Sequence, residues 1–116
     1  RGGLWDKGKS GDTFGPTGPY LVTKDELKDV QNLSMSLDID GKRMQTGNTN
    51  KMIFNMNFIL SYLSNFMSLQ PGDIVTTGTP PGVGMGMNPK QFLKVGNKLK
   101  INIEHLGEQN SSIVAE

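Results

Sequence analysis

Lys9 stands in the run Lys7-Gly8-Lys9-Ser10-Gly11-Asp12-Thr13. Its small neighbours would let an ammonium group be pressed against a small anion and stabilise developing negative charge. The alternative is a solvated surface lysine, the ordinary state of a loop lysine. A second candidate is Thr77-Gly78-Thr79-Pro80, at the end of a short apolar run. A threonine hydroxyl beside a glycine places a side-chain donor and an unshielded backbone N–H in one small volume, which suits a carboxylate or an oxo group. The same four residues also describe a tight turn whose hydroxyls satisfy only backbone groups. The glycine-rich continuation to Gly86 brings backbone amides close to something. It lacks the Gly-Lys-Ser/Thr ending of a phosphate-binding loop, and Asn88-Pro89 interrupts any helix that could aim its N-terminus at an anion.

Other chemistries are excluded by inventory. His105 is the only histidine and there is no cysteine, so neither a His-His metal pair, a histidine triad nor a thiolate nucleophile can be assembled from this chain alone. His105 falls at the end of an expected strand and reads as an exposed turn residue. The carboxylates are scattered: Asp12 reads as turn-forming, Asp25, Glu26 and Asp29 as the solvated face of a short turn or helix, and Asp38 and Asp40 flank a hairpin. No Glu-x-Glu pair occurs, and the seven methionines read as packing residues.

The elements that must position these groups follow from hydrophobic period. Residues 1 to 19 carry six glycines and two prolines without helical or strand period, so an irregular, ordered loop is expected there. Leu33, Met35, Leu37 and Ile39 alternate with polar residues, which predicts a strand. Asp40-Gly41 supplies a two-residue turn, so Lys42 to Gly47 should return antiparallel. Thr49 or Asn50 can cap a helix in which Met52, Met56, Ile59, Leu60, Leu63, Phe66 and Met67 recur at spacings of three and four, ended by Pro71-Gly72. Ile74 to Thr77 predicts a short buried strand, Leu99, Ile101 and Ile103 a half-exposed one, and Gly107 a turn toward a last strand near Ser112 to Ala115.

Composition bounds the whole. A chain of 116 residues has room for one modest domain, and 15 glycines with 6 prolines disfavour an all-helical fold. The expected class is mainly β (α+β) with one packed helix. A net charge of +1 gives no field for nucleic acid or an acidic membrane, and polar residues break the apolar stretch from Met52 to Leu69, so neither nucleic acid nor membrane is an expected partner. The absence of cysteine is compatible with a reducing cytosol, and a cytoplasmic protein is expected. A start at Arg1 suggests a fragment or a processed chain.

Read in order, Arg1-Gly2-Gly3-Leu4-Trp5-Asp6-Lys7-Gly8-Lys9-Ser10, Asp12-Thr13-Phe14-Gly15-Pro16-Thr17-Gly18-Pro19, Gln45-Thr46-Gly47-Asn48-Thr49, Met52-Ile53-Phe54, Met67-Ser68-Leu69-Gln70-Pro71-Gly72-Asp73 and Thr77-Gly78-Thr79-Pro80-Pro81-Gly82-Val83-Gly84 resemble the fumarylacetoacetate hydrolase family. Gly-Gly-x-Trp-Asp-Lys-Gly-Lys together with Pro-Pro-Gly-Val-Gly-Met-Gly is similar to the ureidoglycolate lyase-like or diketo-deoxy-sugar-acid hydrolase branch. The resemblance implies a mixed β-sandwich roll, a homodimer, and a 2-oxo acid substrate chelated by Mg²⁺, or Mn²⁺ or Ca²⁺. Residues 1 to 116 would form the C-terminal portion of the catalytic domain. By motif match Lys9 resembles the lysine that stabilises the enolate, Thr79 the threonine that hydrogen-bonds the substrate carboxylate with Gly78 leaving its approach clear, and Thr13 a ligand of a second, peripheral Mg²⁺. The family's three main-site carboxylates and its lid His-Glu pair precede the Gly-Gly-x-Trp segment and have no counterpart in this chain. Asn97 stands where the family often has Asp.

The activity this implies is metal-dependent hydrolysis of a C–C bond in a 2,4-dioxo acid, the chain supplying part of the site. Isomerisation or decarboxylation of 2-oxo dicarboxylates uses the same chemistry and is the alternative. A catalytically silent structural or dimer-forming fragment is the reading from outside the enzyme class.

Overall fold

The computed structural model describes residues 5 to 115, without the side chain of Trp5. Its frame is one four-stranded antiparallel sheet in the order β2-β1-β3-β4, built from β1 (Ser34–Ile39), β2 (Lys42–Asn48), β3 (Lys98–Ile103) and β4 (Gly107–Ser112). Two short helices, α1 (Trp5–Lys9) and α2 (Met56–Leu63), lie outside it. The mainly β class with few helices therefore holds, and among the described residues the sheet is a single layer.

Alternation explains the sheet. Met35, Leu37 and Ile39 of β1 pair in register with Ile103, Ile101 and Leu99 of β3, so one face carries an apolar patch. The opposite face is polar, with Arg43 paired to Asp38 and Lys100 Nζ 2.7 Å from Glu108. The β1–β2 hairpin turns at Asp40 and Gly41, with φ of 50° and 79°, the left-handed pair that an Asp-Gly turn supplies. Asp40 also reaches across the fold: its carboxylate accepts from the backbone N–H of Lys98 at 2.8 Å and from Asn97 Nδ2 at 2.7 Å. Asn97 is thus more than a turn residue, because it ties the entry to β3 to the hairpin. His105, exposed with φ 62°, sits in the β3–β4 turn as expected.

Four expectations need correction. Trp5–Lys9 is helical, not irregular. The cap of α2 is Asn55, whose side chain accepts from the N–H of Phe58 at 2.8 Å, so the helix begins at Met56. Thr49 and Asn50 lie in a separate 3-10 turn, Thr49–Lys51, and the Thr49 hydroxyl is spent elsewhere. The last strand lies closer to its turn than Ser112 to Ala115, because β4 pairs from Gly107, opposite Ile103, through Ser112. Ile74 to Thr77 forms no strand: Ile74 is 74% exposed, and among the described residues no ladder includes this segment. An apolar run marks a possible strand, but only a neighbouring edge makes it one.

Helix α2 is attached by polar contacts. The side chain of Gln31 accepts from the N–H of Met56 at 3.0 Å and donates to the carbonyl of Thr49 at 2.6 Å, fastening the first helical residue to the end of β2. Met56, Ile59 and Leu63 are half-buried. Phe54, Phe58, Tyr62 and Phe66 form an exposed aromatic row, with ring centroids 4.9, 6.1 and 5.0 Å apart in sequence order. The four-residue spacing places Phe58 and Tyr62 on one face of α2, and Phe54 and Phe66 continue the row beyond its two ends; of the four, only Phe66 belongs to the expected apolar stripe.

Candidate functional site

Two loops rest on the apolar face of the sheet, one at each edge. Register puts Gly47 and Gln45 of β2, and Gly107 and Gln109 of β4, on the same face as Leu37 and Ile101. At the β4 edge, Gln109 Nε2 donates to the carbonyls of Pro16 and Gly18 at 3.3 and 3.4 Å. A Cβ on Gly107 would stand 2.7 Å from the Tyr20 hydroxyl oxygen. That edge therefore carries the segment that follows Lys9 and Thr13.

At the β2 edge lies the loop that follows Val75, and its glycines explain its path. A Cβ on Gly47 would stand 2.6 Å from Pro80 Cβ. One on Gly82 would fall onto the carbonyl oxygen of Met44, and one on Gly84 onto that of Gln91, so none of the three positions has room for a side chain. Met44 is the extra residue of a bulge in β2, where Leu37 faces Gln45 while Asp38 faces Arg43. What the glycine-rich loop approaches so closely is the protein's own backbone. Between this loop and the sheet lies a cavity of about 690 Å³, walled by Leu37, Ile39, Leu99, Met44, Val83 and Phe92 among others.

Thr79 is held by Gln45. Gln45 is 8% exposed, and its Nε2 donates to Thr79 Oγ1 at 2.8 Å and to the carbonyl of Pro80 at 2.6 Å. Thr79 itself is exposed. Gly78, at φ 92°, takes a conformation that favours glycine, and a Cβ there would meet nothing within 4 Å, so the approach to Thr79 from that side is open.

The remaining candidates come from the N-terminal segment. Lys9 is exposed in the last turn of α1, and Thr13 is exposed in the turn after it. The part of the N-terminal segment that the β4 edge carries is the stretch following them, from Pro16 to Tyr20. Among the described residues no group of three or more His, Cys, Asp or Glu could hold a metal ion, so the side chains present do not fit a divalent-cation centre. No helix among them is long and apolar enough to cross a membrane. The residue that reading the sequence missed is Gln45. Its signal was available: a polar side chain in register with Leu37 on an otherwise apolar strand face must be holding something.

A provisionally named hydrolase of Burkholderia lata is 58% identical over 110 residues, which covers 94% of this chain and 39% of that protein. The chain thus spans about two fifths of the length of the relatives it matches. Maleylpyruvate hydrolase from Sphingobium sp. SYK-6, solved with manganese(II) and pyruvate, aligns over 89% of this chain and 36% of its own at TM-score 0.81 and 35% identity. The 2-hydroxyhepta-2,4-diene-1,7-dioate isomerase of Mycobacterium marinum aligns over 97% of this chain and 41% of its own at TM-score 0.83 and 32% identity. The family model for the fumarylacetoacetate (FAA) hydrolase C-terminal region matches residues 2–114, and with it the chain belongs to the fumarylacetoacetate hydrolase family.

Proposed function

We propose that the protein carrying this chain hydrolyses a C–C bond in a 2,4-dioxo acid of the acylpyruvate type, with Lys9, Thr79 and Gly78 as this chain's share of the site. The observation that carries the reading is the likeness to a maleylpyruvate hydrolase that holds pyruvate, the 2-oxo acid such a cleavage releases. In the reaction water adds to the C4 carbonyl, and the C3–C4 bond breaks with its electron pair left on C3 as an enolate. The proton that water gives up ends on C3, so the products are a carboxylic acid and a 2-oxo acid. The Lys9 ammonium would meet the enolate oxygen as charge develops there. The Thr79 hydroxyl would donate to the C1 carboxylate, past the open side of Gly78.

Dependence on Mg²⁺, Mn²⁺ or Ca²⁺ belongs to the proposal for the whole protein and is supported by the manganese complex of that hydrolase. The described residues do not form a ligand set for such a cation, so the steps assigned to this chain are those of Lys9 and Thr79. Thr13 as part of a peripheral Mg²⁺ site stands on the motif match.

The test follows pyruvate release from acylpyruvates by the intact protein, coupled to lactate dehydrogenase. Lys9→Ala should lower kcat by about a hundredfold or more with the fold preserved, and unchanged turnover would remove Lys9 from the mechanism. Isomerisation is the second reading, favoured by the likeness to the Mycobacterium marinum isomerase. Consumption of a 2-oxo dicarboxylate with release of neither pyruvate nor CO₂ would select it.

A further inference from the structure

We propose that Gln45 is a positioning residue that sets the direction of hydrogen bonding at Thr79, so that the Thr79 hydroxyl proton is presented to the substrate carboxylate. The inference rests on the assignment of Thr79 as the carboxylate contact.

The orientation of the Gln45 amide is settled by its partners. The carbonyl of Pro80, 2.6 Å away, can only accept, so the atom facing it is the NH₂ nitrogen and not the amide oxygen. That nitrogen carries a second hydrogen, directed at Thr79 Oγ1 at 2.8 Å. An N–H only donates, so the Thr79 oxygen accepts. Its own proton is then unspent by this contact and cannot turn toward Gln45. Thr79 is exposed while Gln45 is buried, so the orientations left to that proton point away from Gln45. A carboxylate arriving on the open side finds a donor with one of its orientations already excluded, so less of the hydroxyl's rotational freedom is lost on binding.

The arrangement is built into the sheet. Gln45 lies opposite Leu37 on the apolar face, immediately after the β2 bulge, and Gly82 and Gly47 admit the loop close enough for its amide to reach both Thr79 and Pro80. A side chain that only filled space there would be apolar. One that only held the loop would need the Pro80 carbonyl and not the hydroxyl.

The decisive experiment is a double-mutant cycle in the intact protein with Gln45→Leu, Thr79→Val and their combination, read as KM and kcat on an acylpyruvate. Gln45→Leu should raise KM by about ten- to hundredfold, the effect of one hydrogen bond to a charged group, with kcat changed far less. Most of that effect should vanish in the Thr79→Val background. Additive effects would show that Gln45 acts on stability or on some other group, and would overturn the proposal.

Gln45→Glu is nearly isosteric and keeps the proposal decidable if Gln45→Leu does not fold. Its carboxylate can only accept, so it should draw the Thr79 proton away from substrate and raise KM more than Gln45→Leu does. Affinity should recover as pH falls and the new carboxyl becomes a donor. A KM for Gln45→Glu that is flat with pH would also overturn the proposal. Should the wild-type protein not cleave acylpyruvates, the hydrolase assignment fails by itself. The same cycle read by isothermal titration with pyruvate then decides Gln45, and absence of pyruvate binding by the wild type would count against both.

Discussion

Thr49→Val removes one hydroxyl and leaves the volume of the side chain nearly unchanged, yet the structure makes it costly. Thr49 is 5% exposed, its Oγ1 accepts from the N–H of Leu33 at 2.8 Å, and it donates to the carbonyl of Val30 at 2.9 Å. Leu33 is 4% exposed, so its N–H loses a partner where water has little access. A buried donor left unmade costs about 1–3 kcal/mol. The Val30 carbonyl is half-buried and loses less, so the substitution should cost about 2–4 kcal/mol in all. Thr49→Ser keeps the hydroxyl and gives up one methyl, about 0.8 kcal/mol. Urea titration of the intact protein should show a lower midpoint for Thr49→Val with an unchanged slope, and a much smaller displacement for Thr49→Ser. Hydrogen exchange adds a local readout, since the Leu33 amide should lose protection in Thr49→Val and keep it in Thr49→Ser. Equal midpoints for the two variants would refute the reasoning, because they would mean that the hydroxyl is replaceable by packing.

Two further outcomes concern charge at the strand ends. The Glu104 carboxylate accepts from the N–H of Ser34 at 3.0 Å, and that bond holds its carboxyl below the usual value of 4.5. A depressed acid contributes stability that is present above its ordinary value and lost as pH falls through the folded one, so Glu104→Gln should make the acid limb of a stability-against-pH profile shallower, and superimposable limbs would discard this role. Asn97→Asp would set a second carboxylate against Asp40, now 2.7 Å from Asn97 Nδ2. Two acids that close hold one shared proton more tightly than either would alone, so thermal unfolding should show a loss near neutral pH that is recovered on acidification, and a pH-independent loss would speak against the contact.

The frame of this fold is legible in the sequence wherever a period of two runs unbroken between turn residues. Leu33 to Ile39, Asp40-Gly41 and Leu99 to Ile103 each state their own geometry, and the hairpin, the strands and the apolar face follow. What fails to show is whatever depends on a partner distant in the chain. Ile74 to Thr77 has the composition of a buried strand and pairs with no strand among the described residues. Helix α2 begins later than the sequence suggests because Thr49, a competent cap by type, has its hydroxyl claimed by Leu33 and Val30, 16 and 19 residues away in the chain. Local capping chemistry competes with tertiary hydrogen bonding, and here the tertiary partners win.

The candidate site divides along the same line. Lys9 and Thr79 can be picked out by type and neighbourhood, since an ammonium between glycines and a hydroxyl beside a glycine are local facts. The support beneath Thr79 is not local, because Gln45 lies 34 residues from it. Its position is nonetheless constrained by β2, where Gln45 and Gly47 share the apolar face by the strand's period and Thr49 follows at the strand's end. Through these residues one segment meets three different demands. Gln45 bonds the Thr79 loop, Gly47 makes room for Pro80, and Thr49 ties the start of β1 to the Gln31 link that carries α2. A substitution in β2 can therefore reach the Thr79 loop without touching Thr79. The choice of residue says which load is moved: Gln45 bears on the direction of a proton, Gly47 on the fit of the loop, and Thr49 on the stability of the frame beneath both.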